Sequence, residues 1–170
     1  RRLHLSGMAM DIRPVEPGDW DALAALVNPH IRETRVHLGV EPTTGAEMAA
    51  EWAPHAERHA CVVAVDGGRV TGFARSGPWR TRASYRTTAE VGLYVDNAVH
   101  RRGVGRALYA RLLEELRARG FHAVVAGITL PNVASEALHA RMGFTHVGVF
   151  REVAHKQGRY VDVAFWHRFL

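Results

Sequence analysis

The stretch from Glu90 to Ala107 constrains the fold most, because it joins three local signals in a fixed order. Residues 91–95 form an apolar run of mainly β-favouring side chains, which predicts a buried strand. A basic loop containing Gly103 and Gly105 comes next. A helix is then predicted, with Gly120 as its stop and with an apolar face made of Leu108, Leu112, Leu113 and Leu116. The chain therefore places a glycine loop between a buried strand and a helix N-terminus.

This loop has the composition of an anion site. Glycine lets a ligand approach the backbone closely, and the unpaired N–H groups at a helix N-terminus favour negative charge. Three cations, Arg101, Arg102 and Arg106, lie in or beside it. The sequence predicts a bound pyrophosphate here, although a tight helix entry on a basic surface would use the same residues.

Two well-known phosphate loops do not match. A P-loop needs G-x-x-x-x-G-K-[ST], and the single lysine of the chain, Lys156, lies far downstream. A dinucleotide fingerprint needs a third glycine three residues after Gly105, where Leu108 stands. The ligand is therefore expected to belong to another class of phosphate-bearing molecules.

Length and composition are those of one globular domain. The 170 residues are 47% apolar and 23% charged, and no apolar run approaches the roughly 20 residues of a membrane span. Cys61, the single cysteine, lies in an apolar run, so we expect a buried, inert thiol and a reducing, cytoplasmic location. The formal charge of +5 comes from arginines spread along the chain, which does not favour nucleic-acid binding.

The order of predicted elements indicates one α+β domain around a mixed sheet. Residues 1–9 show no structural pattern, and we expect them to be an N-terminal extension or an expression remnant before a domain of residues 10–170. His55 and His59 are four residues apart, but without a third ligand nearby we expect solvated side chains and no metal. The predicted strands are 11–15, 60–65, 69–76, 91–95, 121–127, 145–153 and 159–169; the predicted helices are 19–29 (ending or kinking at Pro29), 30–38, 44–59, 104–119 and 132–142.

The chain resembles the GCN5-related N-acetyltransferases, and within them the phosphinothricin acetyltransferase branch. The likeness extends from Asp11 to Phe169. The motifs that carry it are Val27-Asn28, Ile31, Glu33, Glu41-Pro42, Gly77-Pro78-Trp79-Arg80, Arg82, Tyr85, Thr88-Ala89-Glu90, Tyr94-Val95, Gly103, Gly105, Leu130-Pro131-Asn132, His139, Gly143-Phe144, Lys156, Gly158, Asp162-Val163 and Phe165-Trp166. His100 departs from the family, which usually has glutamine or arginine at that position.

The resemblance implies a mixed, mostly antiparallel, seven-stranded twisted sheet flanked by helices, and acetyl-CoA as co-substrate. Backbone groups along Leu93, Tyr94 and Val95 would bind the acetyl carbonyl and the pantetheine arm, and Asn132 would bind the amides of that arm. The pyrophosphate would bind the loop Arg101, Arg102, Gly103, Val104, Gly105 and Arg106.

Acetyl transfer to an amine needs a base for the ammonium, and the resemblance implies Glu90 for that role. Partial burial at the start of the strand is expected to raise its pKa. His139 stands where many members of the superfamily have a tyrosine that protonates the leaving sulfur. It is expected to act as an acid, a second base or a substrate partner, with an ordinary structural histidine as the alternative.

The acceptor is expected to be a small amino-acid-like molecule such as phosphinothricin, methionine sulfoximine or methionine sulfone. By resemblance, Arg80, Arg82 and Tyr85 would engage its carboxylate and acid tail, and paired arginines suit such bidentate recognition. Leu38 would line the same pocket. The chain departs from the family here, with Leu38 for a phenylalanine, Arg35 for a small hydroxyl residue and Gly39 for a polar one, so the pocket is expected to differ in width or charge.

Three other functions remain open at this point. The acceptor could be a protein N-terminus or a polyamine, although a polyamine would favour carboxylates where Arg80 and Arg82 lie. The chain could also be a non-catalytic acyl-CoA-binding module or a basic nucleic-acid binder. The resemblance further implies a homodimer, with neither nucleic acid nor membrane as a partner.

Overall fold

The fold is taken from a computed structural model, which describes residues 3–5, 8–99 and 102–170. These residues form eight strands, four α-helices and four short 3-10 turns. The strands are β1 (Leu3–Leu5), β2 (Met8–Pro14), β3 (Cys61–Asp66), β4 (Arg69–Pro78), β5 (Thr88–Val95), β6 (Ala123–Thr129), β7 (Thr145–Lys156) and β8 (Arg159–Phe169). The helices are α1 (Trp20–Glu33), α2 (Gly45–Trp52), α3 (Val104–Ala118) and α4 (Val133–Arg141).

All the strands join one sheet in the order β1-β2-β3-β4-β5-β6-β8-β7. Only β5 and β6 run parallel, and every other neighbouring pair is antiparallel. The predicted α+β domain with a mixed, mostly antiparallel sheet is confirmed, and its seven strands are β2 to β8. Residues 1–9 were expected to lack structure, which is wrong in part, because Leu3–Leu5 pairs with Met8–Met10 and extends the sheet by a short strand.

The two faces of the sheet carry separate hydrophobic clusters. On one face α3 buries the predicted leucine stripe, and Leu108, Leu112 and Leu116 are completely inaccessible to water. On the other face α1 and α2 bury Leu23, Trp52 and their neighbours against β3 and β4. Each such aliphatic side chain contributes about 1.5–3 kcal/mol through burial, so the helices hold the sheet from both sides.

Two helix starts follow the sequence signals. Thr44 and Glu47, at the predicted start of a helix, form a capping box, in which Thr44 Oγ1 accepts a hydrogen bond from the Glu47 N–H at 3.2 Å and Glu47 Oε2 accepts one from the Thr44 N–H at 2.7 Å. Asn132, where the last helix is predicted to begin, caps α4, since its Oδ1 accepts a hydrogen bond from the N–H of Ser135 at 3.2 Å.

The region between α1 and β3 differs from the prediction. Helix α1 continues through Pro29 to Glu33, because its apolar stripe continues to the buried Ile31 and this burial outweighs one lost backbone hydrogen bond. The separate helix predicted over residues 30–38 is therefore wrong, and residues 34–44 form a loop. Helix α2 ends at Trp52, short of the predicted His59, and a 3-10 turn follows.

His59 and Cys61 are both buried. The expectation of a solvated His59 is wrong, because its ring packs against Phe121 and its Nδ1 lies 3.2 Å from Ser76 Oγ. Burial, with smaller contributions from His55 and Arg58, lowers the pKa of His59 to about 4. The buried thiol of Cys61 is confirmed, and burial raises its pKa to about 12, which explains an inert side chain.

Candidate active site

The site is organised by the separation of β5 from β6. These two parallel strands pair only at three positions, from Thr88 opposite Ala123 to Glu90 opposite Val125. No further pair joins them within the described residues, so the second half of β5 diverges from β6 and leaves a wedge in the sheet. Such a wedge gives a ligand access to backbone groups in the middle of a sheet.

The backbone of β5 is oriented to use this wedge. The N–H of Asp96 donates to the Thr71 carbonyl on β4 at 2.9 Å. Since backbone groups alternate in direction along a strand, those of Leu93 and Val95 point to the opposite side, towards the wedge. Their side chains pack with the α3 cluster, and Leu93 Cδ1 lies next to Gly105. These positions suit the predicted contacts to an acyl group and its amide-bearing arm.

Tyr94 lies between them but faces the other way. Its ring packs against Phe73, His30 and His37 at centroid distances of 5.5–5.7 Å, on the α1 side of the sheet. Burial raises the pKa of Tyr94 to about 12, and the cation of Arg75 offsets part of that shift. Its contribution to cofactor binding stays a prediction, and its side chain belongs to the opposite face.

Glu90 occupies the point where the wedge begins. Its carboxylate reaches across to β6, where Oε1 lies 3.9 Å from the position that a Cβ atom would take on Gly127. The side chain is exposed to solvent on one side, yet protein surrounds it enough that desolvation raises its pKa, and the nearby Arg80 guanidinium partly opposes this shift. The predicted direction of the pKa shift is confirmed, and the base role stays a prediction.

The glycine loop presents the first turn of α3 to a ligand. Gly103 precedes the helix with a φ of 79°, a left-handed conformation that costs other residues about 1–2 kcal/mol. Val104 anchors the turn in the core, whereas Arg106 is exposed. Arg102 Nη1 lies 3.6 Å from Asp66 Oδ2, so part of its charge is already paired.

The structure therefore brings together the glycines, the first turn of α3 and two arginines, Arg102 and Arg106, of the predicted pyrophosphate site. Backbone N–H groups and guanidinium cations are groups that fit a phosphate ligand. The predicted role of Arg101, like the His100 departure from the family, lies outside the described residues. The side-chain oxygen of Asn132 accepts the hydrogen bond that caps α4. Its amide nitrogen has no hydrogen-bond partner among the described residues, so Asn132 can still donate a hydrogen bond to a ligand.

His139 is buried inside the α3–α4 cluster and both of its ring nitrogens are engaged. Nδ1 lies 2.7 Å from the Ser135 carbonyl oxygen, which can only accept, so Nδ1 carries the proton. Nε2 lies 2.8 Å from Tyr109 Oη and accepts its hydrogen bond. Burial lowers the pKa of His139, although the Ser135 carbonyl opposes this, and raises the pKa of Tyr109. The pair is therefore neutral.

The predicted acceptor loop flanks Glu90. Arg80 stacks its guanidinium on the Trp79 ring at 4.7 Å, and Trp79 contacts Phe165 at a centroid distance of 5.7 Å. Stacking of this kind fixes the guanidinium near the carboxylate of Glu90. Arg82 and Tyr85 lie further along the loop and are exposed. Arg80 is thus the loop cation best placed for an acceptor, and the roles of Arg82 and Tyr85 stay predictions.

The loop between α1 and α2, called the acceptor wall below, lies on the α1 side of the sheet, where His37 packs against Tyr94. A cleft of about 280 Å³ lies between this loop, the end of β6 and the β7–β8 turn. Arg35 and Val36 line it, whereas Leu38 is 43% exposed and is not among the described residues that line it. Gly39 is required by the ring of His37, because a Cβ atom there would lie 2.8 Å from its Cε1.

Three elements of this site were missed by sequence reasoning. Gly127 faces Glu90 across the two strands, and a glycine inside a predicted buried strand is a recognised sign of close approach. The ring of His37 packs against Tyr94 at a tilt, which no sequence pattern indicated. Lys156 is buried, and its Nζ donates hydrogen bonds to the carbonyls of His37 and, at 3.5 Å, His30, so it ties the β7–β8 turn to the acceptor wall.

No group of three or more His, Cys, Asp or Glu side chains in residues 3–5, 8–99 and 102–170 is placed to hold a metal ion. Within the same residues, none of the helices has the length and apolar character needed to cross a membrane.

Comparison with known proteins identifies the family. The model of the Acetyltransferase (GNAT) family matches residues 26–144, which is more than half of the chain. This match contains the wedge, Glu90, the glycine loop and His139. The chain belongs to the GNAT acetyltransferase family. Membership confirms the predicted enzyme class, an acetyl-CoA-dependent N-acetyltransferase.

Individual members of the GNAT family support the predicted branch. The chain is 39% identical to the phosphinothricin N-acetyltransferase of Streptomyces coelicolor, over 94% of this chain and 95% of that protein. It is 34% identical to the L-methionine sulfoximine/L-methionine sulfone acetyltransferase of Salmonella typhimurium, over 92% of each chain. The crystal structure of a phosphinothricin acetyltransferase from Sinorhizobium meliloti, solved with acetyl-CoA, superposes with a TM-score of 0.89 at 28% identity, covering 95% of this chain and 88% of that one.

Proposed function

We propose that this enzyme moves the acetyl group of acetyl-CoA directly to the α-amino group of a small amino-acid-like acceptor of the phosphinothricin, methionine sulfoximine or methionine sulfone type. The relatives at 39% and 34% identity carry these acceptors in their names and match nearly the whole chain. The proposal extends that acceptor class to this chain.

One observation carries the proposal: the Glu90 carboxylate lies where β5 and β6 separate. Two routes converge there. The wedge lies beside the glycine loop, where Leu93 packs next to Gly105. The side chain of Glu90 lies on the other face of the sheet, which also carries Thr129 and the cleft lined by Arg35. An acyl donor and an amine can therefore meet at Glu90 from opposite faces of the sheet. Orientation of this kind accounts for a large part of catalysis in transfer between two substrates.

Glu90 transfers the proton, and the other residues of the site position the two substrates. Bound acetyl-CoA supplies the activated acetyl group. Glu90, with its raised pKa, takes a proton from the acceptor ammonium, and Arg80 holds the acceptor carboxylate close to it. The backbone groups of Leu93 and Val95 orient the acyl carbonyl, and the first turn of α3 binds the pyrophosphate.

His139 enters the proposal as a positioning residue, with a direct acid or substrate role as the alternative to be tested. Its Nδ1 proton is already donated to Ser135 and its Nε2 accepts from Tyr109. To donate a proton from Nε2, the ring would first have to take up a second proton against its lowered pKa. The arrangement therefore supports a role in fixing α4, whose cap is Asn132.

The test is a free-thiol assay with acetyl-CoA and a panel of acceptors: phosphinothricin, methionine sulfoximine, methionine sulfone, ordinary amino acids, polyamines and short peptides. We expect thiol release with the first three. Release with peptides or polyamines alone would overturn the acceptor class but keep the acetyltransferase. No release with any acceptor, together with tight CoA binding, would overturn catalysis itself in favour of a binding module.

A homodimer and a cytoplasmic location are parts of the same proposal. The edge strand β7 leaves Val147, Phe150 and Val153 more than half exposed, which gives a second copy an apolar strand to cover. A molar mass in solution equal to the 18.8 kDa of one chain would contradict the dimer. The free, buried thiol of Cys61 is compatible with a reducing compartment, and cell fractionation tests that location.

A further inference from the structure

The cleft at the end of β6, on the same face of the sheet as Glu90, contains a cation that the proposed chemistry does not use. Gly127 and Thr129 lie two positions apart on β6 and therefore face the same side of the sheet, about 7 Å from each other. Glu90 reaches over Gly127, and Thr129 lines the cleft that also contains Arg35. The cleft therefore begins one side-chain position further along β6 than Gly127, on the face that Glu90 occupies.

Arg35 is half-buried in this cleft and is not committed to another group. No ion pair or hydrogen bond involves its guanidinium among the residues that the structure describes. Glu33 lines the same cleft, but it is exposed and no ion pair within 4.0 Å joins it to Arg35. Thr129 Oγ1 is turned to the Val36 carbonyl, and Gln157 Nε2 to the Arg32 carbonyl. Thr129 and Gln157 are therefore engaged with backbone carbonyls, while the Arg35 guanidinium is available.

We infer that Arg35 binds a second negative charge, on the side chain of the acceptor, and so makes the enzyme prefer acceptors with an anionic tail over neutral ones. The inference rests on the proposed function, because it assumes that an α-amino acid is held with its amine at Glu90. It assigns a different anion to each arginine: the α-carboxylate to Arg80 and the tail anion to Arg35.

The dimensions agree with this assignment. In phosphinothricin the amine and the phosphorus atom are separated by about 5 Å, by ordinary bond lengths. With the amine next to the Glu90 carboxylate, a tail that extends along β6 is long enough to approach Thr129, which lines the cleft that contains Arg35. A guanidinium binds a planar pair of anionic oxygens through two parallel hydrogen bonds, which suits a carboxylate, phosphinate or phosphonate.

A matched pair of acceptors isolates the charge. Phosphinothricin ends in an anionic methylphosphinate, whereas methionine sulfone ends in a neutral methylsulfonyl group of nearly the same shape. We expect the wild-type enzyme to have a higher kcat/KM for phosphinothricin. In Arg35→Gln the ratio of the two kcat/KM values should fall by about 10-fold or more, mostly through KM for phosphinothricin, since hydrogen bonds between charged groups are strong and specific.

Two control variants complete the test. Arg80→Gln should lower kcat/KM for both acceptors by a similar factor and leave their ratio unchanged, because both carry the α-carboxylate. Arg117→Gln, an exposed arginine near the end of α3, removes the same net charge and should change neither value. An unchanged ratio in Arg35→Gln, with both acceptors still turned over, would overturn this inference alone. Absence of turnover with both acceptors in the wild-type enzyme would instead overturn the proposed function.

Discussion

Replacing Glu90 with Gln is expected to lower turnover by about 100- to 10,000-fold, the range that a positioned general base contributes. The amide keeps the size of the carboxylate but cannot take the proton of the acceptor ammonium. Affinity for CoA should stay nearly unchanged, because Glu90 lies on the acceptor side of the wedge and the pyrophosphate loop is formed by other residues. Steady-state thiol release and calorimetric titration with CoA measure the two quantities separately.

The same residue determines the pH profile. A base must be deprotonated to work, so kcat/KM should rise with pH through the pKa of Glu90. Because desolvation raises that pKa, the rising limb of the kcat/KM profile should lie above the pH at which an ordinary glutamate titrates. In Arg80→Gln the limb should move further up, since the Arg80 cation lowers the pKa of Glu90 in the wild type. In Glu90→Gln this limb should disappear from any residual activity.

Glu114→Gln is the matched control, because Glu114 is an exposed glutamate on α3. This variant should change neither the turnover rate nor the pH profile of kcat/KM. Near wild-type turnover in Glu90→Gln would show that another group, or solvent, removes the proton, and the catalytic part of the proposal would then fail.

Removing the ring of His139 is expected to cost about 3–5 kcal/mol of unfolding free energy, as for other buried rings replaced by alanine. His139→Ala leaves a cavity beside Phe144 and Trp166 and leaves the Tyr109 hydroxyl without its acceptor. This is a large share of the roughly 5–15 kcal/mol that stabilises a typical domain. Denaturant unfolding of the variant and the wild type measures the difference.

A milder variant distinguishes the positioning role from the acid role. Tyr109→Phe keeps His139 but removes its hydrogen-bond donor, and should lower stability by about 1–3 kcal/mol. If His139 acts by fixing α4, both variants should lose stability and should change kcat only modestly at temperatures where they are folded. A loss of kcat greater than about 100-fold in folded His139→Ala, with full activity in Tyr109→Phe, would instead favour His139 as the acid.

Local signals in the sequence were sufficient for most of the architecture. The leucine stripe of α3, the capping box at Thr44 and the cap at Asn132 depend only on neighbouring residues, and the structure has all three. Errors came where tertiary burial outweighed a local rule. Pro29 predicts a helix end or a kink, and the end is wrong, because the burial of Ile31 carries α1 past it. His59 was assigned to solvent, although β4 and Phe121 enclose it.

The site was predictable where one segment supplies the chemistry and unpredictable where distant segments meet. The strand, loop and helix around Gly103 are contiguous, so their geometry follows from sequence order. The contact of Glu90 with Gly127 depends on strand pairing 37 residues apart, and that of His37 with Tyr94 on packing between a loop and the sheet. Neither contact produces a periodic pattern in the sequence, and only Gly127, a glycine inside a predicted strand, indicated one of them.

The burial of Lys156 affects how readily the enzyme is itself acetylated. It is the single ε-amine in the sequence, and it is buried with its ammonium bound to backbone carbonyls of the acceptor wall. An enzyme that holds a reactive thioester is exposed to spontaneous acylation of its own lysines, and here that side reaction has one sheltered target. Acetyl label that accumulates during turnover should therefore be found on the acceptor and not on lysine side chains of the catalyst. Amine-directed dyes and coupling resins should also react poorly with the Lys156 side chain.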